Sequence, residues 1–209
     1  TTDTTVNRWR ITAERLDLRR VGFTLRMPKD TLGVTTYLGD ARLIRGYADL
    51  GAQRYGAAQL DIRGAYAAYD ATERPRTIGL DPQHISASNI RLLADSVRYH
   101  NGDLRVAIRQ GELDERSGLS LESLTAYVHL DSTGVSVSRG SLRTTRSWID
   151  FQARVPWAAL KERPEADLQA EWTAGIDGQD VLTAMGEQGP RLMRALPDSL
   201  LYLSGLVEG

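Results

Sequence analysis

Cysteine is absent from all 209 residues, which removes disulfide frameworks, thiolate metal sites and cysteine nucleophiles together. Lysine is nearly absent: apart from Lys29 and Lys161, every one of the 26 basic residues is an arginine. A GC-rich genome accounts for that bias, and it implies no function. Neither sign of charge is in excess, since 27 acidic residues oppose the 26 basic ones for a formal net charge of −1. Such a balance gives no electrostatic footprint for nucleic acid or an anionic membrane surface, and disfavours a polyanion partner. Long apolar runs are missing too. None approaches the roughly 18 residues of a membrane span, and the opening Thr1-Thr-Asp-Thr lacks the basic and apolar regions of a signal peptide.

What is present is a period of two. Apolar residues recur at Val21, Phe23, Leu25 and Met27, with Gly22, Thr24 and Arg26 between them. That is the pattern of a half-buried strand. It returns at Leu60, Ile62 and Tyr66, at Leu104, Val106 and Ile108, at Leu124, Ala126, Val128 and Leu130, at Ile149, Phe151, Ala153 and Val155, and at Leu168, Ala170 and Trp172. Turn chemistry separates the runs, as in Asn101-Gly-Asp103, Arg116-Ser-Gly118, Asp131-Ser-Thr-Gly134 and Arg163-Pro164. The reading is an all-β chain of roughly 15 short strands, in a meander, sandwich, barrel or solenoid-like sheet. The C-terminal Leu201-Tyr-Leu-Ser-Gly-Leu-Val-Glu-Gly209 still alternates where the chain stops. A piece of a longer protein is therefore expected.

Leu60-Asp-Ile-Arg-Gly-Ala-Tyr-Ala-Ala-Tyr-Asp70 lies over Leu121-Glu-Ser-Leu-Thr-Ala-Tyr-Val-His-Leu-Asp131 without a gap, and with one insertion Ile11 to Phe23 lies beside Ile85 to Tyr99. An internal repeat, about residues 11–70 and 85–131, would make the fold extended by stacking. The domain expectation is one elongated segment over residues 1–209. Only Asp177 to Leu196 has helical spacing, interrupted by Gly186 and Gly189-Pro190. Two short helices are predicted there, at 178–187 and 190–195, with Asp177 as cap and the apolar stripe packed on the sheet.

Candidate chemistry is sparse. His84, His100 and His129 are scattered singly, without metal-ligand spacing. Leu130-Asp-Ser-Thr-Gly134 has one residue too many for an aspartic-protease loop and reads as a polar hairpin turn. Neither Gly-x-Ser-x-Gly nor a phosphate-binding glycine loop occurs. Asp114 and Glu115 immediately precede Arg116 and read as part of a solvated, salt-bridged turn. No enzyme, metal or cofactor is expected. The apolar side remains: Val21, Phe23, Leu25, Leu60, Ile62, Leu104, Val106, Ile108, Leu121, Leu124, Ala126, Val128, Leu130, Ile149, Phe151, Ala153 and Val155 are expected on one concave face. Arg105, Arg109, Tyr127 and Gln152 are expected on the other. Alternation alone does not distinguish a core closed by a second sheet from a groove left open.

The segments Gly79-Leu-Asp-Pro-Gln-His-Ile85, Asn89-Ile-Arg-Leu-Leu-Ala-Asp-Ser-Val97, Leu113-Asp-Glu-Arg-Ser-Gly-Leu-Ser-Leu121 with Leu124, and Leu142-Arg-Thr-Thr-Arg-Ser-Trp-Ile149 resemble the TamB family as it occurs in Bacteroidetes. Fainter likeness continues to Gly209, whereas Thr1 to Thr77 matches only in strand rhythm. TamB proteins belong to the AsmA-like group of bridge-forming lipid carriers. The resemblance implies an elongated, curved open β-sheet, the β-taco, with an apolar concave groove. It also implies a phospholipid ligand moving between inner and outer membrane, and a periplasmic location with an inner-membrane anchor outside this stretch. An outer-membrane Omp85-type partner, in barrel assembly, would be met through regions also outside it. The expectation is thus a lipid-conducting interior segment. A structural or adhesive β-solenoid or sandwich with a closed core is the alternative. A β-helix lyase or hydrolase is disfavoured, because Thr125, Tyr127 and His129 on the opposite face supply no carboxylate cluster.

Overall fold

A computed structural model describes residues 9–27, 32–71, 76, 78–159, 168–185 and 201–208. Among the described residues the chain forms one antiparallel meander of ten strands, paired in sequence order and not closed into a barrel. The first four strands are long: β1 (Arg10–Met27), β2 (Leu32–Asp49), β3 (Arg54–Asp70) and β4 (His84–His100). They are followed by β5 (Asp103–Glu115), β6 (Ser120–Leu130), β7 (Gly134–Thr144), β8 (Trp148–Pro156), β9 (Gln169–Ile176), one helix α1 (Gly178–Met185) and β10 (Leu201–Glu208). Ten strands make nine spacings, about 43 Å across at the usual strand separation, and 18 residues of β1 or β2 reach about 60 Å. The all-β expectation holds, with ten strands in place of roughly 15 shorter ones.

The reason for the miscount is a reset of the side-chain period inside the strands. In β4 the apolar residues are odd at Ile85 and Ala87, even at Ile90, Leu92 and Ala94, and odd again at Val97 and Tyr99. The phase changes at Asn89 and Ser96, where φ is +52° and +54°. An extra residue in the left-handed region forms a β-bulge, which bends the strand and returns the same side chains to the same face. Equivalent resets fall at Arg20 in β1, Arg45 in β2, Gly64 in β3 and Arg139 in β7, all at positive φ. Neighbouring strands carry them level with one another. Ladder pairs flank but skip Arg20 and Gly39 between β1 and β2, and Gly39 and Gly64 between β2 and β3. Each reset makes one long strand read as two short ones.

Glycine and aromatic residues oppose each other across several ladders. Tyr47 faces Gly56, Gly140 faces Phe151, Trp148 faces Gly175 and Trp172 faces Gly205. A Cβ on any of these glycines would lie 2.4–2.7 Å from the facing ring, so each ring lies flat over the neighbouring backbone. This arrangement covers the glycine and keeps the sheet surface low.

Turns follow the sequence reading where they are described. Asn101 (φ +49°) and Gly102 (φ +85°) make the two-residue hairpin between His100 and Asp103. Asp131 Oδ1 accepts from the Thr133 amide and hydroxyl and from Gly134 N, which confirms a polar hairpin turn. Arg163-Pro164 lies outside the described residues, as does the expected helix at 190–195. Helix α1 starts as expected, with Gln179 N donating to Asp177 Oδ1 at 2.8 Å. It is not fixed to the sheet's face but at the strand ends. Asp180 accepts from Thr144 and Ser147 hydroxyls, and Leu80 N donates to Ala184 O. The repeat pairing sets β3 against β6 and β1 against β4, strands that run in opposite directions in the meander. In β3 and β6, buried Ala65 and Ala126 are each followed by an exposed tyrosine.

The bulge line is testable through its glycines. A Cβ on Gly39 would meet Gly64 O at 2.7 Å, whereas one on Gly22 meets nothing within 4 Å. Gly39→Ala is expected to destabilise the fold by about 1–3 kcal/mol, and Gly22→Ala by less than about 0.5 kcal/mol, measured by urea denaturation. Equal effects would contradict the close backbone approach.

Candidate functional site: an uncovered apolar face

Opposed residues in an antiparallel ladder share a face, so the register follows one row of side chains across the whole sheet. That row runs Leu16, Leu43, Leu60, Ala94, Ile108 and Ala126, crosses the bulge at Arg139 and Gly140, and continues through Phe151, Trp172 and Gly205. A second row runs Leu18, Ala41, Ile62, Leu92 and Gly111, and on the far side Leu124, Leu142, Ile149, Ala174 and Leu203. The register brings together every apolar candidate named from the sequence. Val21 faces Leu38 in β2, Val106 faces Val128, Leu104 faces Leu130, Leu113 faces Leu121, and Val135 and Val137 face Val155 and Ala153. Tyr127, Arg105 and Gln152 lie on the opposite face.

Sequence reasoning missed several members of this face: Leu16, Leu18, Leu43, Leu92, Leu142 and the whole of β2. Their signal exists but is short. In β2 the run Leu32, Val34, Thr36 and Leu38 ends at Gly39, Ala41 and Leu43 follow in the other phase, and Arg45 resets it again.

Nothing among the described residues covers this face. The buried apolar residues are seven alanines, including Ala94 at 0 % exposure, and no large side chain is fully buried. The alanines are sheltered by taller neighbours on adjacent strands, while those taller side chains stay partly open to solvent. Toward the β1 edge the exposure is larger still, 45 % for Leu16 and 58 % for Phe23. The accessible surface is 14597 Å², against roughly 9,700 Å² for a globular monomer of 23.1 kDa. A sandwich or a closed core would remove most of that excess.

The other face is polar, and the ion pairs among the described residues lie on it. Asp17 takes Arg15 at 2.7 Å and Arg42 at 2.9 Å, Asp61 takes Arg63, Asp95 takes Arg109, Asp103 takes Arg105 and Asp150 takes Arg143. Hydrogen bonds from Arg15 and Arg42 hold the Asp17 carboxyl below its ordinary range, as Arg105 and His129 do for Asp103. At the strand ends, Asp81 is lowered by the amides of Arg76 and Gln83 against its burial. Burial pushes Glu115 up, but donors at Ser117 and Ser86 outweigh it and leave the group lowered. His84 Nδ1 contacts Asp70 at 2.9 Å, and Arg116 donates to His84 O. Asp81 and Glu115 are satisfied by amides of the turns and His84 by Asp70, so this cluster is a structural knot joining the turns. Among the described residues no group of three or more His, Asp or Glu is arranged to hold a metal.

No protein-family model, curated protein or solved structure matches the chain.

The lowered carboxylates define an acid limit. A group whose pKa is depressed on folding contributes stability above its unfolded pKa, near 4, and loses it as pH falls through the folded value. Thermal melting followed by circular dichroism should be nearly flat from about pH 7 to about pH 5 and fall below about pH 4. Melting that rises on acidification below that point would contradict the assigned hydrogen bonds.

Proposed function

We propose that this chain is a segment of a bridge-forming lipid carrier of the TamB kind, which passes phospholipid acyl chains along its apolar face through a Gram-negative periplasm. The observation that carries this reading is the continuous apolar row across a sheet that no described residue covers. Apolar surface on this scale is filled by a partner, a second layer or an apolar ligand. Burying a methylene is worth about 0.8 kcal/mol, so a chain of about 16 carbons gains something near 12 kcal/mol if wholly removed from water, and about half that if laid against one face.

The surface has the character that sliding requires. Phe151 and Trp172 lie flat over Gly140 and Gly205, and alanines fill the row between leucines. No polar side chain interrupts the row from Leu16 to Trp172. An even wall of this kind favours passage over capture, since specific pockets fix a ligand through a few convergent polar groups. The inner-membrane anchor and the Omp85-type partner belong to the same proposal, carried by parts of the protein outside this stretch.

Native mass spectrometry of the purified protein should detect co-purified phospholipid. Val128 stands in the middle of the face, with Tyr127 beside it on the polar side. Val128→Asp is expected to cut the bound lipid by about tenfold while the protein stays folded, because a charge on an open wall keeps part of its hydration. Tyr127→Asp should leave the lipid unchanged. If Val128→Asp unfolds the chain, the face is a closed core in solution, and the structural or adhesive reading replaces the carrier.

A further inference from the structure

A groove also opens on the face opposite the apolar rows. It measures about 780 Å³ and lies on the polar side of β4 to β7, lined by Asp95, Arg98, Arg105, Arg109, Tyr127 and His129. A second groove of about 450 Å³ shares His129 and Ser136 with it and extends the trough to Arg154 in β8.

The trough is built on a cross-strand row that costs stability. Arg98 faces Arg105, Arg105 faces His129, His129 faces Ser136 and Ser136 faces Arg154. Like charges set directly opposite each other in a ladder repel. Elsewhere on this face arginines alternate with aspartates, as in Asp17, Arg42 and Asp61. Here Arg105 is offset by Asp103 at 3.0 Å, His129 by Asp103 at 3.2 Å and Asp131 at 3.8 Å, and Arg109 by Asp95 at 3.0 Å. Arg98 and Arg154 make no ion pair and no side-chain hydrogen bond among the described residues. Gly56 lies on the other side of Arg98, with the Tyr47 ring over it. Two members of the row, Arg98 and Arg154, are thus left without an internal counter-charge, and a local rule left uncompensated marks a site for an external partner.

We propose that this trough binds an extended acidic oligosaccharide, laid across the strands with its acid groups on Arg98, Arg105 and Arg154. Guanidinium forks match carboxylate geometry. From β4 to β8 the row crosses four strand spacings, about 19 Å, so the cations suit an elongated ligand with repeated acid groups and exceed the needs of one small anion. Between them stands Tyr127, 53 % exposed, with Arg139 over its ring at 5.7 Å from the centroid. The exposed part of that ring, in a groove also lined by Ser136, Ser138 and Asp95, offers a sugar an apolar contact and several hydrogen-bonding partners, and Arg139 beside it adds a further cation. The near-zero net charge of the chain argued against a polyanion. The cause of that discrepancy is that net charge averages the whole face, whereas the register collects unpaired arginines in one trough. This inference concerns the face opposite the lipid path and stands or falls separately from it.

The experiment is calorimetric titration of the full chain with galacturonate pentamer, glucose pentamer and inorganic tripolyphosphate. The uronate should bind and weaken as salt rises, and the neutral pentamer should not. Arg98→Gln and Arg154→Gln should each lower affinity about tenfold without lowering the melting temperature, since neither side chain has a partner to lose and Arg98→Gln removes a like-charge contact with Arg105. Tyr127→Ala should lower it too, which separates sugar stacking from attraction of charge alone. No heat with the uronate, undiminished binding in both arginine variants, or binding of tripolyphosphate without the uronate would each overturn the proposal.

Discussion

The backbone ladder has to stay in register across ten strands while the side-chain period is reset inside most of them, and the remaining features follow from how that is done. With no second layer among the described residues, the ladder and the cross-strand contacts carry the cohesion of the sheet. A slip of one residue would exchange the leucine row for the arginine row. The bulges at Arg20, Arg45, Gly64, Asn89, Ser96 and Arg139 absorb the mismatch locally, so Leu16 to Ala126 remain one surface. Glycine is required where two backbones approach at a bulge line, as at Gly39 against Gly64. Elsewhere asparagine, serine and arginine adopt the left-handed conformation at modest cost.

The two faces then solve different problems. Exposed ion pairs contribute little stability individually, and those joining Asp17 to Arg15 and Arg42, or Asp61 to Arg63, are mostly solvent-facing. Their value is in discrimination. A charged ladder on one side makes the flipped register unfavourable, because it would bring arginine and aspartate together on the side that buries alanine and leucine. The same segregation leaves the apolar side free to meet an apolar ligand and the polar side free to vary its charge. In the trough around Arg98 that variation produces a surplus of cation.

Strand type, antiparallel hairpins and the separation of faces were legible wherever a run kept one phase. β8 is the clearest case, since Ile149, Phe151, Ala153 and Val155 alternate without a break and β8 contains no bulge residue of positive φ. β2 is the opposite case. It changes phase near Gly39 and again at Arg45, so no alternating run of it is long enough to stand out from the background. The helix start was legible because an aspartate cap acts on amides two residues away. The placement of α1 at the strand ends was not, because it depends on Asp180 meeting Ser147, 33 residues earlier.

By itself the sequence determined that the chain is a β protein with one apolar and one polar side, because a period of two is a property of neighbouring residues and needs no partner. It also determined the tight turns, through Asn101-Gly102 and the Asp131 loop, where the chemistry is contained within four or five residues. Only the tertiary structure decided that none of the described residues would cover the apolar face, because the same alternation serves an open wall and a closed core equally well. Only the register decided that Arg98, Arg105, His129, Ser136 and Arg154 share a single row. Their separations along the chain follow no period, and they become neighbours only when hydrogen bonds between distant segments set five strands side by side.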